Sequence, residues 1–337
     1  MTLGSVQMDV RPARIAGAGL RHAIGIDVGG TKIAGGIVDL LTGRVAARQQ
    51  VATGCDEGGK AVLARVSRMA HDLVAQSEQV PLAGLGVGVA ELVDKQGAVF
   101  SGPRIAWQGM PVAAQLSAIL PARVESDVRT AALAEARMGA GQGHSDFLYV
   151  TIGTGISAVS VRSGVPYAGS RGAALVLANG LTRHHCAQCG ARTDYVLEDV
   201  ASGPGLVAGY VAKGGTAQRA EDVLVAAVAG DARAVAVIDL AALRLGNALA
   251  LLAGALDPGA VILGGGLGSA HGIYFAAITR ELRAGLWADD PRPLPVLNAA
   301  LGADAGIIGA ALAAAAHFQQ EPDNQPFDTR TDHHGSE

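Results

Sequence analysis

Apolar and polar positions alternate along the chain in a way that separates strand-like from helix-like stretches. Residues 23–28 and 33–39 are short apolar runs, and residues 44–51 form a third strand beyond the turn Leu41-Thr42-Gly43. From about residue 57 to 79 the period changes. Val62, Val66, Met69 and Leu73 recur at helical spacing and predict one buried helix face. A buried strand follows at 84–90, then a loop carrying Trp107, then a helix opened by Pro111, whose fixed φ suits a first turn. Residues 122–126 predict a fifth strand, so this part reads β-β-β-α-β-α-β.

The pattern then restarts. Residues 147–152 predict a strand, Gly153-Thr154-Gly155 a turn, and 157–162 a returning strand. Residues 24–33 have the same plan of strand, Gly/Thr turn and strand, which points to an internal duplication. Further on come a long apolar helix at 231–256, a strand at 260–263 running into Gly264-Gly265-Gly266, a helix at 270–286, a short strand at 295–298 and a closing helix at 303–317. The expected fold is α/β and two-lobed, with a cleft onto which both Gly/Thr hairpins face. The expected division is a flexible leader at 1–21, an N-terminal lobe at 22–126 to which helix 303–317 returns, a C-terminal lobe at 127–302, and a polar, disordered tail at 318–337.

Composition narrows the options. Of 337 residues, 50% are hydrophobic and 17% charged, as in a packed protein rather than a disordered one. The net charge of −4 and the lack of a basic stripe speak against a nucleic-acid partner. Charged residues, Gly or Pro interrupt or bound each apolar run before it reaches membrane length, and no apolar signal core is seen near the start, so no membrane partner and a cytoplasmic location are expected. Cys55, Cys186 and Cys189 are too few for a disulfide framework.

Four motifs carry candidate chemistry. In Asp27-Val28-Gly29-Gly30-Thr31-Lys32 the glycines let backbone N–H groups approach phosphate oxygens. Thr31 adds a hydroxyl, Lys32 a point charge, and Asp27 a carboxylate suited to hydrated Mg2+. The motif equally serves as a plain hairpin turn. Because a strand follows it, it is neither a dinucleotide fingerprint nor a P-loop. Gly153, Thr154 and Gly155 supply a second set of donors in the duplicate position. Gly264, Gly265 and Gly266 would let a flat base or ribose pass close to backbone, or make a tight strand-to-helix turn. Ser126-Asp127 stands where a strand meets a helix: Asp127 either caps that helix or takes a proton from a substrate hydroxyl.

With these motifs in order, the chain resembles the ROK family of sugar kinases and sugar-responsive repressors, within the hexokinase–actin fold. The resemblance covers residues 22–317 and includes Glu135 in the helix after Asp127, the Glu198-x-x-x-Ser202-Gly203 segment, and Leu301 to Gly306. It implies a duplicated ribonuclease H-like architecture and an ATP-dependent sugar kinase, with Asp127 as general base, the hairpins on the ATP phosphates and Asp27 near Mg2+. Homodimers are common in the family. A repressor would need a helix-turn-helix segment, and residues 1–21 show no such pattern.

Departures from the family pattern gather at the sugar and zinc motifs. Ser126 replaces Asn, Ala90-Glu91 replaces Pro-Gly, Pro103 stands for an Asn before the loop Trp, Val176 for a Glu and Asn179 for a His, while Glu198 is kept. Ser126, Asp127, Asn179, Glu198 and Glu91 are thus the substrate-binding candidates. The Glu91 carboxylate suggests pairing with the ammonium group of an amino sugar. Cys186 and Cys189, with His184 or His185, read equally as a zinc site or as an ordinary turn, since Val196 stands in place of a third Cys. A protein that binds sugar or ATP without turnover is the rival expectation.

Overall fold

Two five-stranded sheets with one strand topology organise the molecule. A computed structural model describes residues 20–77, 80–287 and 293–319. Strands β1 (His22–Val28), β2 (Lys32–Asp39) and β3 (Val45–Ala52) form an antiparallel meander. Helix α1 (Gly59–Gln76) leads to β4 (Leu82–Val89), parallel to β1. Helix α2 (Val112–Ser117) leads to β5 (Ala122–Ser126), parallel to β4. Helix α3 (Asp127–Met138) then passes to the second sheet.

There β6 (Phe147–Ile152) and β7 (Ile156–Arg162) form a hairpin that β8 (Val165–Pro166) extends. Strands β9 (Leu181–His185) and β10 (Arg192–Val196) make a separate hairpin. Four helices follow: α4 (Leu197–Ala201), α5 (Gly203–Ala212), α6 (Ala220–Val228) and α7 (Ala232–Leu256). Then come β11 (Val261–Gly264), α8 (Gly265–Gly268), α9 (Ile273–Ala284), β12 (Val296–Asn298) and α10 (Ala305–Gln319). The sheet orders are β3-β2-β1-β4-β5 and β12-β11-β6-β7-β8. Read from its other edge, the second repeats the first: β6 stands for β1, β11 for β4 and β12 for β5. The duplication seen in the sequence is a duplication of strand pairing.

The first sheet is covered on both faces, which is why β1 and β4 read as continuous apolar runs. Ile24, Ile26, Leu85 and Val87 share one core with Val62, Val66, Met69 and Leu73 of α1. On the other face lies α10, in a core with Ala23 and Ala134. Gly25 and Gly86, paired across β1 and β4, leave room for it: a Cβ on either would collide with the carbonyl of Ile307 or Ala310. The end of α3 is clamped to the chain entering α10 by Glu135. This fully buried carboxylate accepts N–H bonds from Ala140 (2.7 Å), Ala300 (3.1 Å) and Leu301 (2.9 Å).

Helix α7 is long and apolar enough to cross a bilayer by length and composition, with a mean hydropathy of 1.8 over its most apolar window. It lies in the second core, where Val237, Ile238, Leu245 and Leu249 pack with Ile278 and Leu282 of α9. Several boundaries differ from the sequence expectation. The helix expected at 57–79 spans 59–76, with residues 78–79 outside those described, and the helix expected at 270–286 is the shorter α9. The leader and tail expected from the sequence fall largely on residues 1–19 and 320–337, which lie outside the described residues.

Candidate active site

A cavity of about 440 Å³ opens between loops of the two sheets. The first sheet contributes the β1–β2 turn (Gly29, Gly30), the loop after β4 (Glu91, Arg104) and the β5–α3 junction (Ser126, Asp127). The second contributes the β6–β7 turn (Gly153, Thr154, Gly155), the segment with Val176 and Asn179, and Glu198 of α4. The two Gly/Thr hairpins, Ser126, Asp127, Asn179 and Glu198 thus converge on one space, as the duplicated topology requires.

Both turns are tight. Gly29 N–H donates to the Lys32 carbonyl (3.0 Å) and Gly153 N–H to that of Gly155 (2.9 Å). The first is tied to the end of β3, because the Thr53 hydroxyl donates to the Gly29 carbonyl (2.7 Å). Space stands open above both: a Cβ at Gly153 would meet nothing within 4 Å, and one at Gly30 only the Arg104 side chain at 3.9 Å. Thr31 and Lys32 are exposed beyond the turn and do not line the cavity.

Asp127 lines the cavity and Asp27, near the end of β1, lies outside its lining; each retains some access to solvent. Asp127 does not cap α3: that position is held by Ser126, and Asp127 Oδ1 accepts the N–H of Val128 (2.7 Å). Burial pushes the Asp127 carboxyl up to about 7. The negative charge of Asp27 adds to this, while the Val128 N–H, the Ser126 hydroxyl and the Arg104 cation oppose it. Burial likewise raises Asp27 to about 6, against the pull of Lys32. Two carboxyls with such values can hold or release protons near neutrality.

The loop after β4 alters the sequence expectation for Glu91. Its side chain is buried, and its carboxylate accepts the backbone N–H groups of Arg104 (2.8 Å) and Ile105 (2.7 Å) and the Ser101 hydroxyl. Glu91 therefore anchors its own loop, and the free carboxylate expected for an ammonium group is not there. The loop instead presents Arg104, a residue without a motif to mark it in the sequence. Arg104 Nη2 pairs with Glu198 Oε1 (2.5 Å), and Glu198 Oε2 accepts the Ile156 N–H (2.8 Å) just past the second hairpin. A second arginine on the wall, Arg129, is buried and consumed: it binds Glu125 and the carbonyls of Val93 and Gly172.

Two further motifs lie outside the cavity lining. Gly264, Gly265 and Gly266 do not line the cavity. Gly264 ends β11 against Tyr149, where a Cβ would strike the phenol, and Gly265 and Gly266 open α8. The β9–β10 hairpin does not assemble a zinc set. Its turn brings Cys186 near Cys189, closed by Cys186 N–H to the Ala191 carbonyl (2.8 Å), but neither His184 nor His185 gathers with the two thiols. Among the described residues no three His, Cys, Asp or Glu side chains gather as metal ligands. The residues present do not fit a structural zinc ion.

A family model described as "ROK family" matches residues 23–317. A glucokinase of Streptomyces coelicolor is 31% identical over 341 residues, covering 89% of this chain and 98% of its own. An N-acetylmannosamine kinase of Escherichia coli is 28% identical, covering 86% and 97%. A ROK family glucokinase from Streptomyces griseus, solved in complex with glucose and AMPPNP, superposes with a TM-score of 0.73 at 32% identity, covering 88% of this chain and 99% of that one.

Proposed function

The chain belongs to the ROK family, and from that premise we propose that it is an ATP-dependent sugar kinase, transferring the γ-phosphoryl group to O6 of a hexose or an N-acylated amino-hexose. The observation that carries this is the convergence of both Gly/Thr hairpins and Asp127 on one cavity. It is further supported by the named activities of the glucokinase and N-acetylmannosamine kinase relatives, and by the ATP analogue in the similar glucokinase structure.

Phosphoryl transfer asks a protein mainly for positioning and charge neutralisation. In the proposed mechanism, backbone N–H groups of Gly30 and Gly155, with the Thr154 hydroxyl, hold the phosphates of MgATP, while Gly29 and Gly153 close the two turns that present them. Thr31 and Lys32 flank them at the open edge. Asp27 would hold a hydrated Mg2+ through water, which would supply charge neutralisation at the phosphates. Ser126, Asn179 and Glu198 bind the sugar. The free oxygen of Asp127 accepts the O6 proton as the O6–P bond forms and the bond from phosphorus to the ADP oxygen breaks. An exposed apolar ridge on α7, with Leu240, Leu243 and Leu251, suits a homodimer contact. ATP and free sugars point to a cytoplasmic setting. The proposed lobe boundary falls at the Ser126–Asp127 junction, with α10 counted in the first lobe.

Incubation with MgATP and a panel of hexoses and N-acyl hexosamines, with phosphorus NMR of the products, tests this. A sugar 6-phosphate with stoichiometric ADP is expected. ADP formed at the same rate without sugar would overturn the assignment.

A further inference from the structure

The geometry points to the Arg104–Glu198 ion pair as a charge filter that admits neutral sugars and disfavours cationic and anionic ones, an inference that rests on the kinase reading. It begins with which wall charges are still available. Glu91 is buried under three donors and Arg129 under a carboxylate and two carbonyls. Apart from Asp127, the ionic groups left at the cavity surface are Arg104, 39% exposed, and Glu198, 16% exposed.

These two are held to each other from both sides of the cleft. Glu91 fixes the backbone of Arg104, whose stem passes Gly30 and whose guanidinium ends beside Gly155. Ile156 N–H fixes the other oxygen of Glu198. A chain of hydrogen bonds therefore runs from Glu91 through the Arg104 backbone and side chain to Glu198 and Ile156. Glu198 cannot turn away without breaking its bond to the Ile156 backbone, and the Arg104 guanidinium is held in turn by Glu198.

The consequence is chemical. Glu198 alone would attract an ammonium substituent, but its charge is already matched, and an ammonium group brought alongside meets the Arg104 cation. A carboxylate substituent meets Glu198 and Asp127. Neutral hydroxyl and N-acyl groups meet neither penalty: they donate to Glu198 and accept from the Arg104 N–H groups not used by Glu198, which have no other partner among the described residues. Unpairing either residue exposes the charge of the other, so the two substitutions shift preference in opposite directions.

The test uses the full chain and the best neutral hexose of the wild type as reference. Its 2-amino-2-deoxy analogue, at a pH where the amine is protonated, and its uronic acid are measured as competitive ligands against it. Relative to the neutral sugar, Arg104→Gln is expected to improve binding of the amino analogue by about tenfold or more, and Glu198→Gln to improve binding of the uronic acid. Arg104→Lys should keep most of the discrimination, and high salt should compress the differences. Equal weakening of all three ligands by Arg104→Gln, with no change in their ratios, would make Arg104 a structural residue and overturn the filter. If the wild type phosphorylates no sugar at all, the kinase reading fails and the filter with it. Phosphorylation with unchanged ratios sinks the filter alone.

Discussion

At Asp127 the environment sets both the chemistry and its pH dependence. A base works only when ionised, and burial with the nearby Asp27 charge raises this carboxyl to about 7. Turnover is therefore expected to rise with pH through about 7 and to level off above it; a rate flat from pH 5 to 8 would contradict that assignment. Asp127→Asn should lower kcat by about 10²–10⁴ while AMPPNP still binds. The same shift has a stability consequence. A carboxyl whose folded pKa lies above its unfolded value binds more protons in the folded state, so its contribution to stability declines as pH rises from about 4 to 7. Asp127→Asn is thus expected to melt a few degrees higher than wild type at pH 8, with the difference gone near pH 4. The residue type and position of Asp127 were legible in the sequence. Its pKa was not, because burial and the approach of Asp27 are tertiary facts. Arg104 and the role of Glu91 were hidden for the same reason: nothing in the run Pro103-Arg104-Ile105 says that its backbone folds onto Glu91.

Among the elements, α10 depends on bare backbone beneath it. Gly86→Ala would drive a methyl into the Ala310 carbonyl and is expected to cost more than about 3 kcal/mol in denaturant unfolding. Gly153→Ala has open space above it, so it should leave stability near wild type while weakening nucleotide binding, since its Cβ enters the region where phosphates are proposed to lie. Glu135→Ala leaves three part-buried N–H groups without their acceptor at the junction of α3 with the chain entering α10, a loss of roughly 1–3 kcal/mol. Strands β1, β4 and β6 and helix α1 could be read from the sequence because their burial leaves a periodic or continuous apolar trace. The β9–β10 hairpin could not. Both its faces are largely exposed, so no alternation marks it, and its Cys-x-x-Cys turn suggested a metal set that the strand geometry does not bring together.

Across the whole molecule, two copies of one sheet meet at a cleft, and the duplication is legible in the sequence as the paired Gly/Thr segments. The partition of charge inside that cleft depends on contacts between the copies, such as Arg104 with Glu198, which no local window contains. A kinase built this way should draw its lobes together on binding sugar, excluding water from the phosphoryl group, and a smaller radius of gyration by solution scattering with sugar and AMPPNP would register it. The most direct test of the central claim is the rate of ADP release from MgATP with and without neutral hexoses, for wild type and Asp127→Asn side by side. Sugar-dependent release in the wild type and its near loss in the variant, with AMPPNP affinity kept, is the predicted result. Equal release by both proteins, or release indifferent to sugar, would contradict it.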